Sequence, residues 1–156
     1  MPTVADRLAE LGLVLPPVAA PLASYVPAVR TGALVFTSGQ LPTVDGQLAH
    51  VGKVGAQVAP EQAKELARTC ALNALAAVDA LVGLDSVTRL VKVTGFVASM
   101  PDFTGQPGVV NGASELLAEV FGDRLGEAAQ HARSAVGVAS LPLDAPVEVE
   151  LVVEVS

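Results

Sequence analysis

The chain has 156 residues, with 9 basic and 16 acidic side chains and a formal net charge of −7. An acidic chain without a Lys/Arg run lacks the phosphate-neutralising surface that binding of RNA or DNA requires, although it leaves room for a local basic pocket. The length suits one domain. Because 51% of the residues are hydrophobic and only 16% are charged, we expect apolar surface to be buried against other copies of the chain.

The first 24 residues are predicted to form a helix and a Pro-rich arm that packs on the main domain, residues 25–156. Val4–Leu11 has a short amphipathic pattern with Thr3 before it as the N-cap. Prolines between positions 16 and 21 break the apolar run that follows. The segment therefore has the pattern of neither a signal peptide nor a membrane span.

The first half of the domain carries strand, turn and helix signals in that order. Ala33–Gly39 has strand composition, and Asp45-Gly46 is a strong hairpin turn. Over Pro60–Leu81, apolar and small residues recur at helical spacing, with Gly83 after them as the stop.

The second half continues with a Val- and Thr-rich strand over Val87–Val97 and a second helix over Val109–Phe121, which Gly122 is predicted to end. Residues 123–130 fit either a further turn of helix or a loop. Two strands, beginning near Arg133 and Val147, close the chain. This order predicts an α+β two-layer domain, with helices on one face of a mixed β-sheet and a partner on the other face.

The last two strands each hold a charge in an otherwise apolar segment, Arg133 in one and Glu148 in the other. An unpaired charge in low dielectric costs several kcal/mol, so each needs a partner or a chemical role. One interpretation is structural: Arg133 pairs with Asp144 or Glu148 and closes the fold. In the other, the two residues belong to an active site.

Four blocks, in this order and spacing, resemble the Rid family of YjgF-like reactive-intermediate deaminases: Tyr25–Val29, Leu34–Pro42, Val110-Asn111 and Arg133–Glu150. The resemblance extends from Tyr25 to Val155, and the arm before it is typical of a longer branch. It implies a YjgF-like or chorismate-mutase-like homotrimer without a cofactor, with the helices outside and a pocket between each pair of neighbouring subunits.

The resemblance also implies roles for individual residues. Arg133 matches the arginine that holds the substrate carboxylate, for which a planar guanidinium is suited. Glu148 matches the glutamate that handles the attacking water. Tyr25 matches a tyrosine over the pocket, with packing of the arm as its alternative role. Ser38 and Gly39 match strand-end backbone where a free N–H binds an oxygen, although Gly39 also fits a simple chain turn.

Two further positions match the family pattern less directly. Asn111 is expected to cap or cross-link subunits near the pocket through its amide, a structural role. Ala135 stands where short members often have a cysteine, so only its backbone carbonyl is left to position water. His131 and the 123–130 segment are expected to reshape the pocket entrance.

The predicted function is hydrolysis of enamine or imine intermediates of amino-acid metabolism to 2-oxo acids and ammonia. Two alternatives stay open: a non-catalytic trimer that binds a small carboxylate, and an endoribonuclease, against which the acidic chain with few aromatic residues argues. The spacing of His50 and His131 predicts no metal site. Cys70 is the lone cysteine and has no partner for a disulfide within the chain, and we expect a cytoplasmic protein that binds neither nucleic acid nor membrane.

Overall fold

A computed structural model describes residues 1–156 and contains three α-helices and seven β-strands. In chain order they are α1 Val4–Glu10, β1 Ala28–Thr31, β2 Leu34–Thr37, β3 Thr43–Val44, β4 Gln47–Leu48, α2 Pro60–Val82, β5 Val87–Ala98, α3 Gln106–Leu125, β6 Ala132–Val138 and β7 Val147–Val155. Short 3₁₀ turns cover Leu84–Ser86, Gly126–Ala129 and Pro142–Asp144. None of the α-helices has the length and hydropathy of a membrane span.

The first two helices begin at the predicted residues and end within one residue of the predicted ends. Thr3 caps α1, because its hydroxyl accepts the Asp6 N–H while the Asp6 carboxylate accepts the Thr3 N–H. Pro60 occupies the first turn of α2, and Gly83 ends that helix with φ 79°. α1 packs its buried Val4 and Leu8 into the main core.

The predicted limits of α3 were wrong at both ends. The helix begins at Gln106, three residues early, and it runs through Gly122 to Leu125. Gly126 provides the stop, since its φ of 55° is a left-handed conformation that glycine adopts readily. Gly122 stays helical, and residues 123–130 become the last turn of α3 and a 3₁₀ turn.

Five strands form one mixed sheet in the order β1-β2-β7-β5-β6. All neighbours are antiparallel except β5 and β6, which are parallel. The sequence analysis missed β1, because its residues are mostly exposed and lack strand-like alternation. The Asp45-Gly46 turn is confirmed, with both residues at positive φ, but it joins β3 and β4 in a separate two-stranded sheet.

The predicted two-layer α+β architecture is confirmed. Alternate residues of β7, from Val147 to Val155, are buried in one core with α2 and α3. The residues between them, from Glu148 to Glu154, lie on the opposite face of the sheet, which no helix covers. That open face also displays Val29, Phe36 and Val136, which are 50%, 40% and 42% exposed.

Candidate functional site

Arg133 is oriented by three neutral acceptors, all on α3. Its Nη1 donates to Asn111 Oδ1 at 2.8 Å and to Ser114 Oγ at 3.1 Å, and its Nη2 donates to the Pro107 carbonyl at 3.3 Å. Asn111 and Ser114 are three residues apart on α3 and therefore share one helix face. The structure thus places Asn111 as a residue that holds Arg133.

No carboxylate neutralises Arg133, so its predicted structural pairing was wrong. Asp144 instead pairs with Lys53, at 2.9 Å between Oδ1 and Nζ. Glu148 forms no ion pair, and no acidic oxygen lies within 4.0 Å of the Arg133 guanidinium. Nε and one Nη2 hydrogen also lack an acceptor within the chain. The result is a fixed, half-exposed cation with free donors, the arrangement that binds an anionic ligand.

Glu148 lies on the other face of the sheet, against Gly39. A Cβ built on Gly39 would overlap Glu148 Oε1 and lie 2.8 Å from its Cδ. Partial burial raises the pKa of the Glu148 carboxyl, and the charge of Glu150 two residues along β7 raises it further. Since Gly39 has an ordinary backbone conformation, the need for room beside this carboxyl explains the glycine.

The backbone beside Gly39 only partly matches the prediction of free donors. Ser38 is fully engaged, because its N–H donates to the Pro27 carbonyl at 2.8 Å and its hydroxyl donates to the Val26 carbonyl at 2.6 Å. The Gly39 N–H has no acceptor within the chain. Gly39 is therefore the residue of this pair that can donate to a ligand.

A cavity of about 360 Å³ opens next to Gly39. Tyr25 lines it, and the Tyr25 hydroxyl oxygen accepts the Leu22 N–H at 3.1 Å, which closes a local turn at the end of the arm. The other walls come from the proline-rich stretch 16–21, the β3–β4 turn and Leu143. Tyr25 thus both packs the arm and faces the cavity.

The predicted site residues form two groups that one chain does not bring together. Arg133 and Asn111 lie at the helix face of the sheet edge, and Ala135 on the same strand packs toward the core. Glu148 and Gly39 lie at the open face.

Three groups at the candidate site were not predicted from the sequence. Ser114 could have been found, because its i+3 spacing from Asn111 on a predicted helix puts both on one face. The Pro107 carbonyl and the left-handed backbone of Leu143, with φ 58°, leave no local signal in the sequence. No group of three or more His, Cys, Asp and Glu side chains is placed to hold a metal ion.

Comparisons with known proteins agree with this fold. The family model described as endoribonuclease L-PSP matches residues 17–155, so the match begins within the arm. Protein TCP17 of Trypanosoma cruzi is 45% identical over 154 residues, covering 98% of this chain and 94% of that protein. The crystal structure of Atu1372 from Agrobacterium tumefaciens, a protein with unknown function, has a TM-score of 0.87 at 46% identity, covering 98% and 92% of the two chains.

A third relative carries a chemical name. The "Putative reactive intermediate deaminase TdcF" of Escherichia coli K12 is 32% identical over 128 residues, covering 82% of this chain and 84% of that protein. The crystal structure of E. coli TdcF with bound serine superposes with a TM-score of 0.59 at 26% identity, covering 91% and 94% of the two chains.

Proposed function

Because the chain belongs to the endoribonuclease L-PSP family, the Rid or YjgF-like family predicted from its sequence, we propose that it hydrolyses 2-imino acids, or their enamine tautomers, to 2-oxo acids and ammonia. The observation that carries this proposal is the uncompensated Arg133 cation, held by Asn111, Ser114 and Pro107. A fixed guanidinium with free donors suits a substrate carboxylate. The names of relatives support the same chemistry, since TdcF is described as a deaminase and was crystallised with serine, an amino acid.

The reaction needs one base and no cofactor. Water adds its oxygen to the C=N carbon while Glu148 takes one of its protons, and the Glu148 carboxyl then gives that proton to the nitrogen. In the resulting carbinolamine the hydroxyl proton passes through Glu148 to the amine as the C–N bond breaks, so the C=O bond forms and ammonia departs from the 2-oxo acid. A carboxyl whose pKa is raised by partial burial takes up a proton more readily near neutral pH than an ordinary glutamate does, so it is populated in the acid form that the second step needs. The Gly39 N–H is available to hold an oxygen beside it.

The proposal includes a homotrimer with pockets between subunits. Arg133 and Glu148 face opposite sides of one sheet, so a pocket that uses both takes them from two chains. The exposed Val29, Phe36 and Val136 on the open face supply apolar surface for such contacts. We place the assembly in the cytoplasm, as the sequence analysis predicts.

The test is ammonia and 2-oxo acid release from 2-iminopropanoate generated enzymatically from alanine. The wild-type protein should accelerate release, and Arg133→Ala should lose most of the acceleration. Arg30→Ala is the matched control, because Arg30 is also an exposed arginine that donates to backbone carbonyls and has no acid partner. Its activity should equal that of the wild type.

Absence of acceleration by wild-type protein across imines of several amino acids would refute the proposal. Equal losses in the two arginine variants would also refute the role of Arg133. A parallel incubation with single-stranded RNA at low salt tests the activity in the family's description. Cleavage that survives Arg133→Ala would assign a different function to the chain.

A further inference from the structure

We propose that the cavity beside Gly39 is a side-chain pocket that makes the protein prefer substrates with a branched or bulky apolar group over small ones. The inference rests on the proposed function, because it assigns a substrate class to the same site. The cavity volume of about 360 Å³ is at the lower end of the range of roughly 300–1,000 Å³ for small-molecule sites. It is large enough for a part of a ligand, and one of its lining residues, Gly39, lies against the Glu148 carboxyl.

The charges of the wall decide which part of the ligand enters. No lysine, arginine or histidine lines the cavity, and its one ionisable acid is Asp45. A substrate carboxylate would lose its hydration there without gaining a cation. The carboxylate therefore points away, toward an Arg133, and the opposite end of the ligand faces the prolines of the arm together with Leu22 and Leu41.

Leu143 is the wall residue whose placement costs most. Its backbone is left-handed, with φ 58° and ψ 20°, a conformation that costs a residue other than glycine about 1–3 kcal/mol. Its side chain is nevertheless 59% exposed. Apolar surface exposed in this way does not stabilise the isolated chain, whereas contact with an apolar ligand would bury it.

The neighbouring Asp144 keeps the Leu143 turn in place. The Asp144 N–H donates to the Leu141 carbonyl at 3.1 Å, and the Asp144 carbonyl accepts the Gly52 N–H at 2.9 Å. Its carboxylate pairs with Lys53. The turn is thus fixed from three sides, so Leu143 is presented to the cavity as a preformed contact.

The opposite wall is the arm. Residues 16–22 of the arm all line the cavity, so the arm is part of the pocket and not only a connector. An apolar side chain of the substrate would be enclosed between this arm and Leu143. Each methylene that fits such a pocket changes kcat/KM by about 10-fold or more.

The experiment compares kcat/KM for 4-methyl-2-iminopentanoate, generated from leucine, with kcat/KM for 2-iminopropanoate, generated from alanine. The wild-type ratio should exceed about 10, and Leu143→Ala should lower it by about 10-fold. Alanine preserves the backbone requirement of position 143 approximately, because it also has a Cβ. The matched control is Leu81→Ala, an exposed leucine near the end of α2, which should leave the ratio at the wild-type value.

Two failures are distinguishable. If both imines are hydrolysed but the ratio is close to one, or is unaffected by Leu143→Ala, the pocket is refuted while the proposed function stands. If no imine is hydrolysed, the proposed function fails and an NMR titration decides about the pocket. If the methyl chemical shifts of Leu143 and Leu22 change more on titration with 4-methyl-2-oxopentanoate than with pyruvate, the proposed side-chain pocket is supported. Equal changes, or none, overturn the pocket.

Discussion

Replacing Gly39 by alanine tests the contact between this glycine and the Glu148 carboxyl. The added Cβ would overlap Oε1, and it would lie 2.8 Å from Cδ and 3.1 Å from Cγ, whereas unstrained carbon contacts are about 3.5–4.0 Å. Glu148 must therefore move by on the order of 1 Å. The struck atoms are the end of a flexible, half-buried side chain, so the cost lies at the lower end of the range for overpacking, about 1 kcal/mol, which corresponds to a Tm lower by roughly 2–4 °C for a domain of this size.

Activity should fall more sharply than stability, because misplacing a reacting group by about 1 Å can cost about 100-fold in rate. The assays are thermal unfolding and 2-imino acid hydrolysis. Gly122→Ala is the control: it adds a Cβ to a helical glycine with nothing within 4 Å, and it should stabilise α3 by up to about 1 kcal/mol.

A double-mutant cycle isolates the contact. Glu148→Ala removes the atoms that the new Cβ would strike, so Gly39→Ala should cost little stability in that background. The coupling free energy should be about 1 kcal/mol. The same loss of Tm in both backgrounds would refute the steric account, and an undiminished kcat for Gly39→Ala alone would refute the placement of Glu148 at the reacting centre.

Three further changes have expected outcomes. Because the pKa of Glu148 is raised in the folded state, the fold binds this proton more tightly than the unfolded chain does; the associated stability is present below the ordinary value of 4.5 and is lost as pH rises to the raised value. Glu148→Gln should therefore show a smaller decline of Tm between pH 4 and 7 than the wild type, and equal declines would contradict the shift. Gly112→Ala should destabilise the protein by about 1–3 kcal/mol in urea unfolding, because its Cβ would collide with the Lys64 backbone carbonyl of the facing helix; Gly108→Ala, with nothing within 4 Å, is the control, and equal effects would argue against close packing of α2 on α3. Phe36→Glu should shift the molecular mass measured by light scattering toward the monomer, since it puts a charge on the exposed apolar face of the sheet, and an unchanged mass would exclude this face from the interface.

The sequence predicted most elements because their signals are local. Each of these signals involves residues close together in the chain. Examples are the repeat of small and apolar residues over α2, the Thr3 cap and the Asp45-Gly46 turn. β1 was not predicted, because an exposed edge strand has no buried face to impose an alternation of apolar and polar residues. The predicted end of α3 at Gly122 was wrong for a related reason. A glycine ends a helix only where the backbone turns left-handed, and in this chain that occurs at Gly126.

The sequence identified the residues of the candidate site but not their arrangement in space. Family resemblance pointed to Arg133, Glu148 and Gly39, and the structure gives each of them a physical context. Neutral groups hold Arg133, and Asp144 pairs with Lys53 instead. Both facts depend on contacts between residues far apart in the chain. No local pattern encodes which of several acids a strand-end arginine will meet.

By itself, then, the sequence determined most of the α+β elements and their order, because periodicity, caps and turns act over short distances along the chain. The family followed from the resemblance of four sequence blocks. Only the tertiary structure decided that Arg133 and Glu148 face opposite sides of the sheet, and that the arm and Leu143 enclose a cavity beside Gly39. These outcomes depend on strand register. β7 pairs with β5 over sequence separations that run from 50 residues, for Val97 and Val147, to 68 residues, for Val87 and Val155, and a shift of one residue would turn every side chain to the other face.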